Sequence, residues 1–160
     1  MSHHTSQFCP APIRPVHSAY VAVTLRLADP SDDSLVRHVR LLRDCVALSQ
    51  QRWGFSIDAA VVLPDEMQLL CLFPDADFGT HGAIKLICSA FDHHLPTHGG
   101  SVWAAETEVL EIADAVAPLR REFIEAAPVR AGLVESAGDW PYSSAHQGAA
   151  QSGEMGVAVA

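Results

Sequence analysis

From Ala60 to Pro74 the chain reads Ala-Val-Val-Leu-Pro-Asp-Glu-Met-Gln-Leu-Leu-Cys-Leu-Phe-Pro, two short apolar runs separated by Pro64-Asp65. Proline cannot donate to the interior of a sheet ladder, so this pair marks a tight connection and the stretch is predicted as strand, turn, strand. Side chains alternate between the faces of a strand. Glu66 and Gln68 therefore share one face, while Met67 and Leu69 share the other. Two polar groups at the start of an otherwise apolar strand are either a solvated strand end or the remains of a site.

The flanking segments supply what a hairpin needs to be buried. Residues 20–27 alternate as a first strand, and Asp29-Pro30-Ser31-Asp32-Asp33 offers turn and N-cap chemistry. Over residues 34–53 Leu35, Val39, Leu42, Val46 and Trp53 recur at helical spacing, with Arg37, Arg40, Arg43 and Arg52 largely off that stripe and Gly54 as the stop. The hairpin strands are expected over 55–62 and 67–73. A second helix over 79–95 carries Ile84, Ile87, Phe91 and Leu95 on its apolar side. A last strand is expected over 102–112, weakened by Ala104, Ala105 and Glu106. A third helix over 114–126 has Val116, Leu119, Phe123 and Ile124 as its apolar set, its first turn delayed by Pro118. The order β α β β α β α implies an α+β fold, helices packed on an antiparallel-rich sheet.

A length of 160 residues with 49% apolar and 18% charged side chains fits one domain with a real core. Residues 1–16, with three prolines, read as a loose arm, 17–146 as the folded domain, and the Gly/Ala/Ser/Gln-rich 147–160 as a disordered tail. Cys9, Cys45, Cys71 and Cys88 form no Cys-x-x-Cys pair, so buried reduced thiols are expected. With neither a signal-peptide pattern nor an apolar run of 18 residues, a cytoplasmic protein without membrane contact is expected. Ten basic against nineteen acidic side chains give a net charge of −9, which opposes DNA unless the positives cluster. Arg37, Arg40 and Arg43 are either a phosphate-contacting face or an ordinary solvated one. His3 and His4, and the group Cys88, His93, His94 and His98, invite a metal reading. The first pair sits in the arm, and Pro96 interrupts the second group with no fourth ligand in sight, so no metal site is expected.

Val61-Val62-Leu63-Pro64-Asp65, followed by a polar-Met-polar triplet and an apolar strand, resembles the core of the single-tyrosine, HUH-type transposases of the IS200 kind. The likeness is greatest to their REP-associated branch, whose triplet is His-hydrophobe-His. Residues 19–26, Arg52-Trp53-Gly54-Phe55 and Ser101-Val102-Trp103 are similar to further parts of the family pattern. Ala127-Pro128-Val129-Arg130-Ala131-Gly132-Leu133-Val134 followed by Asp139-Trp140-Pro141-Tyr142-Ser143-Ser144 resembles its carboxyl-terminal signature. The resemblance implies a ferredoxin-like or RRM-like palm. It also implies a chemistry in which a tyrosine attacks a DNA phosphate, assisted by Mg or Mn held on two histidines and an Asn or Gln one turn after the tyrosine.

By that resemblance the four family positions fall on Glu66, Gln68, Phe123 and Ala127, and all four are substituted. Phe123 has no hydroxyl and Ala127 no donor, so no catalytic residue, no metal and no cofactor is expected. Tyr20 and Tyr142 lie off the helix that would present a nucleophile. Ala104, Ala105, Glu106 and Glu108 stand where relatives tend to carry Gln and Arg. Trp53, Trp103, Val129, Leu133 and Trp140 read as packing residues. The expectation is an inactive member of REP-associated ancestry that retains binding of single-stranded or hairpin DNA through Arg37, Arg40, Arg43 and Arg130. The alternative is an interaction or dimerisation module, a homodimer or one with a protein partner, without DNA affinity.

Overall fold

The computed structural model describes residues 15–96 and 99–146. The element order is β1 (Ala19–Arg26), α1 (Ser34–Arg37), α2 (Val39–Trp53), β2 (Ser56–Val62), β3 (Glu66–Phe73), α3 (Ala76–His94), β4 (Glu108–Ile112), a 3-10 turn at Asp114–Val116, α4 (Ala117–Glu125) and α5 (Ala127–Arg130). The strands form a sheet in the order β2-β3-β1-β4 with every pairing antiparallel, the ferredoxin-like palm.

The hairpin is the centre of this sheet. Leu63 N–H donates to the Glu66 carbonyl at 2.7 Å, closing a two-residue connection over Pro64-Asp65, and Leu27 N–H is held by the Asp65 carbonyl at 2.9 Å. Alternation along β3 then sorts its side chains. Met67, Leu69, Cys71 and Phe73 enter a core shared with Val21, Val23 and Leu25 of β1, Leu42 and Val46 of α2, and Ala83, Ile87 and Phe91 of α3. Burying several such side chains at about 1.5–3 kcal/mol each is what holds α2 and α3 on that face. Ser49 Oγ ties the two helices together by donating to the Ala83 carbonyl at 2.8 Å.

The opposite face carries a smaller cluster. Ala22, Ala59, Val61, Leu63, Leu70 and Ile112 meet Ala117 and Ile124 of α4 and Ala127 of α5. A register irregularity in β2 between Ile57 and Ala59 leaves Asp58 as an extra residue. Such a bulge redirects its side chain. The Asp58 carboxylate pairs with the Arg121 guanidinium through Nε, at 3.1 Å, and through Nη2, fixing α4 across the sheet.

Several sequence expectations are corrected here. The single helix over 34–53 is two, because His38 at φ −115° and ψ 36° interrupts it, while the left-handed Gly54 at φ 70° ends it as expected. The second helix starts at Ala76, three residues earlier than expected. The last strand shortens to Glu108–Ile112, although Trp103 still bridges Leu27. Val116, Leu119 and Phe123 are exposed, at 45, 65 and 47%, because α4 turns its small residue Ala117 and Ile124 to the sheet instead. Val129 and Leu133 are likewise exposed, whereas Trp53, Trp103 and Trp140 pack as expected.

Cys45 and Cys71 are buried and Cys88 half-buried, all as free thiols; burial pushes the Cys88 thiol up to about 12 and raises the other two. Among the described residues no helix is long and apolar enough to cross a membrane. His3, His4, Cys9, His98, nearly all of the expected arm and the 147–160 tail lie outside the described residues.

Candidate nucleic-acid interface

Glu66 and Gln68 open onto the α4 side of the sheet, as the alternation of β3 requires. There they line a pocket of about 230 Å³ together with Thr24 and Arg26 of β1, Arg120 and Phe123 of α4, and Arg130 at the end of α5. Thus three of the four positions singled out from the resemblance come together, Glu66 and Gln68 from β3 and Phe123 from α4. The fourth, Ala127, is buried in the small cluster beneath α4, after the helix has been interrupted at Ala126.

The pocket is strongly polarised. Arg26 pairs opposite Glu66 in the β1–β3 register, and its Nε lies 2.8 Å from Glu66 Oε1, while its Nη2 reaches Glu108 Oε2 at 3.0 Å. Gln68 Nε2 donates to the other Glu66 oxygen at 3.0 Å. Both oxygens of Glu66 are therefore engaged by neighbours. Above them two guanidinium groups lie against the Phe123 ring, Arg130 at 3.9 Å and Arg120 at 5.0 Å from its centre. Arg130 is locked there by Nη1, which donates to the Phe123 carbonyl at 2.6 Å. Nε of Arg120 is buried and has no hydrogen-bond partner. A guanidinium over an aromatic face gains roughly 0.5–2 kcal/mol, so the arrangement is held rather than fortuitous.

With Arg26 shared between Glu66 and Glu108, Arg120 and Arg130 leave this pocket locally cationic by about one charge in a chain of net charge −9. Arg26 and Arg120 were missed from the sequence. The helical spacing of Arg120 three residues before Phe123 was the available signal. Arg37, Arg40 and Arg43 belong to α1 and α2, on the other side of the sheet from Arg130, so the four arginines do not form one surface. Arg37 is moreover paired with Asp33 at 2.7 Å and approaches Asp32 at 3.6 Å.

What the pocket can do chemically follows from its groups. It offers guanidinium donors and a ring face to an anion or a base, but no phenol: neither Tyr20 nor Tyr142 lines it. Tyr20 packs on the small cluster and Tyr142 stands edge-on to Trp140. Nor does the donor set fit a divalent ion, since Glu66 is occupied by Arg26 and Gln68, and Phe123 and Ala127 have nothing to coordinate with. Among the described residues no group of three or more His, Cys, Asp or Glu is placed to hold a metal.

No protein-family model matches the chain. No curated protein matches it either. Among solved structures it is similar to a REP-associated tyrosine transposase bound to a REP hairpin, with a TM-score of 0.75 and 22% identity over 90% of this chain and 87% of that one. It is also similar to a protein of Deinococcus radiodurans assigned as a transposase, with a TM-score of 0.51 and 16% identity over 73% of this chain and 96% of that one. At these identities the likeness is one of fold: the chain shares the palm of these two proteins.

Proposed function

We propose that this chain is a non-cutting descendant of REP-associated transposases that binds single-stranded or hairpin DNA in the α4-side pocket, without metal and without strand cleavage. The observation that carries the reading is the Phe123 ring with the Arg120 and Arg130 guanidinium groups against it, and Arg26 at the base of the same pocket. Aromatic faces flanked by arginine suit unstacked bases and phosphates together, and neither contact demands a particular sequence. The REP hairpin bound by the similar transposase supports DNA as the class of partner.

Cleavage needs a nucleophile and a means of stabilising charge on the phosphate. The ring of Phe123 supplies no oxygen, and the Glu66 carboxylate is held by its own neighbours. Bound DNA would be held, not opened. The net charge of −9 favours the second reading, an interaction module with no DNA affinity. Fluorescence anisotropy with a labelled DNA hairpin at about 50 mM salt separates the two, because electrostatic binding is strongest at low salt. Binding that weakens on Arg120→Ala and Arg130→Ala supports the first reading; no binding at that salt removes it.

A further inference from the structure

The two edges of the sheet are finished differently. On β2 the carboxyl-terminal segment covers the edge: Val62 N–H donates to the Tyr142 carbonyl at 2.8 Å, Ser144 N–H to the Ala60 carbonyl at 2.9 Å, and Ala60 N–H to Ser144 Oγ at 3.1 Å. On β4 no such cover exists among the described residues, whose backbone hydrogen bonds include none to its outer edge. Val109 and Leu110 at the middle of this strand are 48 and 53% exposed. An open edge strand with exposed apolar side chains is a template for another strand.

Beside that edge lies a groove of about 640 Å³ between β4 and α3. Its apolar lining includes Ile84 and Cys88 of α3, Trp103 and Val109, with His81 and Lys85 at its polar side. Trp103 fixes the wall by packing on Phe91, 5.4 Å between ring centres, and donating from Nε1 to the Cys88 carbonyl at 3.2 Å. The β1–β4 register puts Val109 and Glu111 on the groove side, opposite Val23 and Val21, and Glu108 and Leu110 on the α4 side. From Glu106 to Asp114 the chain has four carboxylates and no Lys or Arg. Arg26 and His17 each reach one of them, Glu108 and Glu111.

We propose that the open edge of β4 binds an extended basic segment of a partner protein by strand addition, its alternate apolar side chains entering the α3 groove and its lysines or arginines meeting Glu108 on the opposite face. Main-chain hydrogen bonds supply the affinity in this mode, and alternating pockets supply the selectivity. The charge chooses the occupant. A nucleic acid is repelled by this edge, and two copies paired edge to edge would bring Glu106, Glu108 and Glu111 of each close to those of the other. The α3 groove lies on the far side of the sheet from the arginine pocket; the two surfaces meet only at Glu108, which Arg26 reaches at 3.0 Å.

The probe is a fluorescein-labelled nonapeptide of alternating valine and lysine, titrated into the ¹⁵N-labelled full chain. Amide shifts confined to residues 106–112 and to α3 between Thr80 and Cys88 are expected. The same peptide with N-methyl groups on alternate backbone amides keeps its charge but cannot add to a sheet. It should bind at least about tenfold more weakly, equivalent to about 1.4 kcal/mol, as should a valine-glutamate version. Val109→Glu should weaken the parent peptide similarly. Equal binding of the N-methylated peptide, shifts centred on Arg120 and Phe123, no binding at millimolar peptide, or a β4-mediated dimer of the chain alone would each overturn the proposal.

Discussion

The Arg130 guanidinium lies 3.9 Å from the centre of the Phe123 ring and donates to that residue's own carbonyl at 2.6 Å, so the end of α5 folds back over α4 and presents ring and charge as one unit. Arg130→Ala should therefore weaken hairpin binding and reduce the slope of log affinity against log salt by about 1, as for loss of one phosphate contact. Phe123→Ala should cost about 1–3 kcal/mol of binding if a base stacks there. The measurement is anisotropy across a salt series. A Phe123→Ala protein that binds with wild-type affinity would remove the stacking part of the reading.

The pocket shows what sequence could and could not reveal. Alternation over Glu66, Met67, Gln68 and Leu69 was legible because a strand has a period of two and one face was apolar. The partner of Glu66 was not. Arg26 lies forty positions earlier, and only the β1–β3 register brings the two side chains to 2.8 Å. On α4 the periodicity misled, because Leu119 and Phe123 look like core positions. The space beneath this helix is shallow, filled by Ala22, Ala59 and Ala117 with Ile124, so the larger side chains face outward. The Asp58 bulge had no warning in the sequence: an extra residue in a ladder depends on its partner strand.

Asp58→Ala tests how far that bulge holds α4. The Asp58 and Arg121 side chains are 25 and 47% exposed, so solvent screens the pair and a stability loss below about 1 kcal/mol is expected. Hydrogen exchange should change more than stability does. Amides of α4 should exchange faster while those of β1 and β3 keep their protection; uniform acceleration would mean that the pair supports the whole fold and not this helix.

Gly82 faces the Trp53 indole so closely that a methyl group on its Cα would lie only 2.8 Å from Cε2 and closer still to two other ring atoms. Gly82→Ala should gain up to about 1 kcal/mol of helix propensity. It should lose more to overpacking, which costs about 1–3 kcal/mol. A net destabilisation in urea titrations is expected, and Trp53→Leu in the same chain should relieve much of it. Additive effects of the two substitutions would show that the ring is not what limits this site.

His17 Nε2 lies 2.6 Å from Glu111 Oε1, joining the approach to β1 with the edge strand β4. The hydrogen bond to the Glu111 carboxylate, followed by its charge, raises the His17 pKa above the ordinary 6.5. A histidine whose folded pKa is raised contributes stability that is fully present below the unfolded value and is lost as pH rises through the folded one. The contact should thus be fully present well below pH 6.5 and weaken as pH rises through the raised folded value, with only a small effect on global stability because both groups are exposed. An NMR titration of the His17 ring should give a pKa above 6.5 that falls in Glu111→Gln. If the value does not move in that variant, the shift has another source, and β4 is not tethered through this pair.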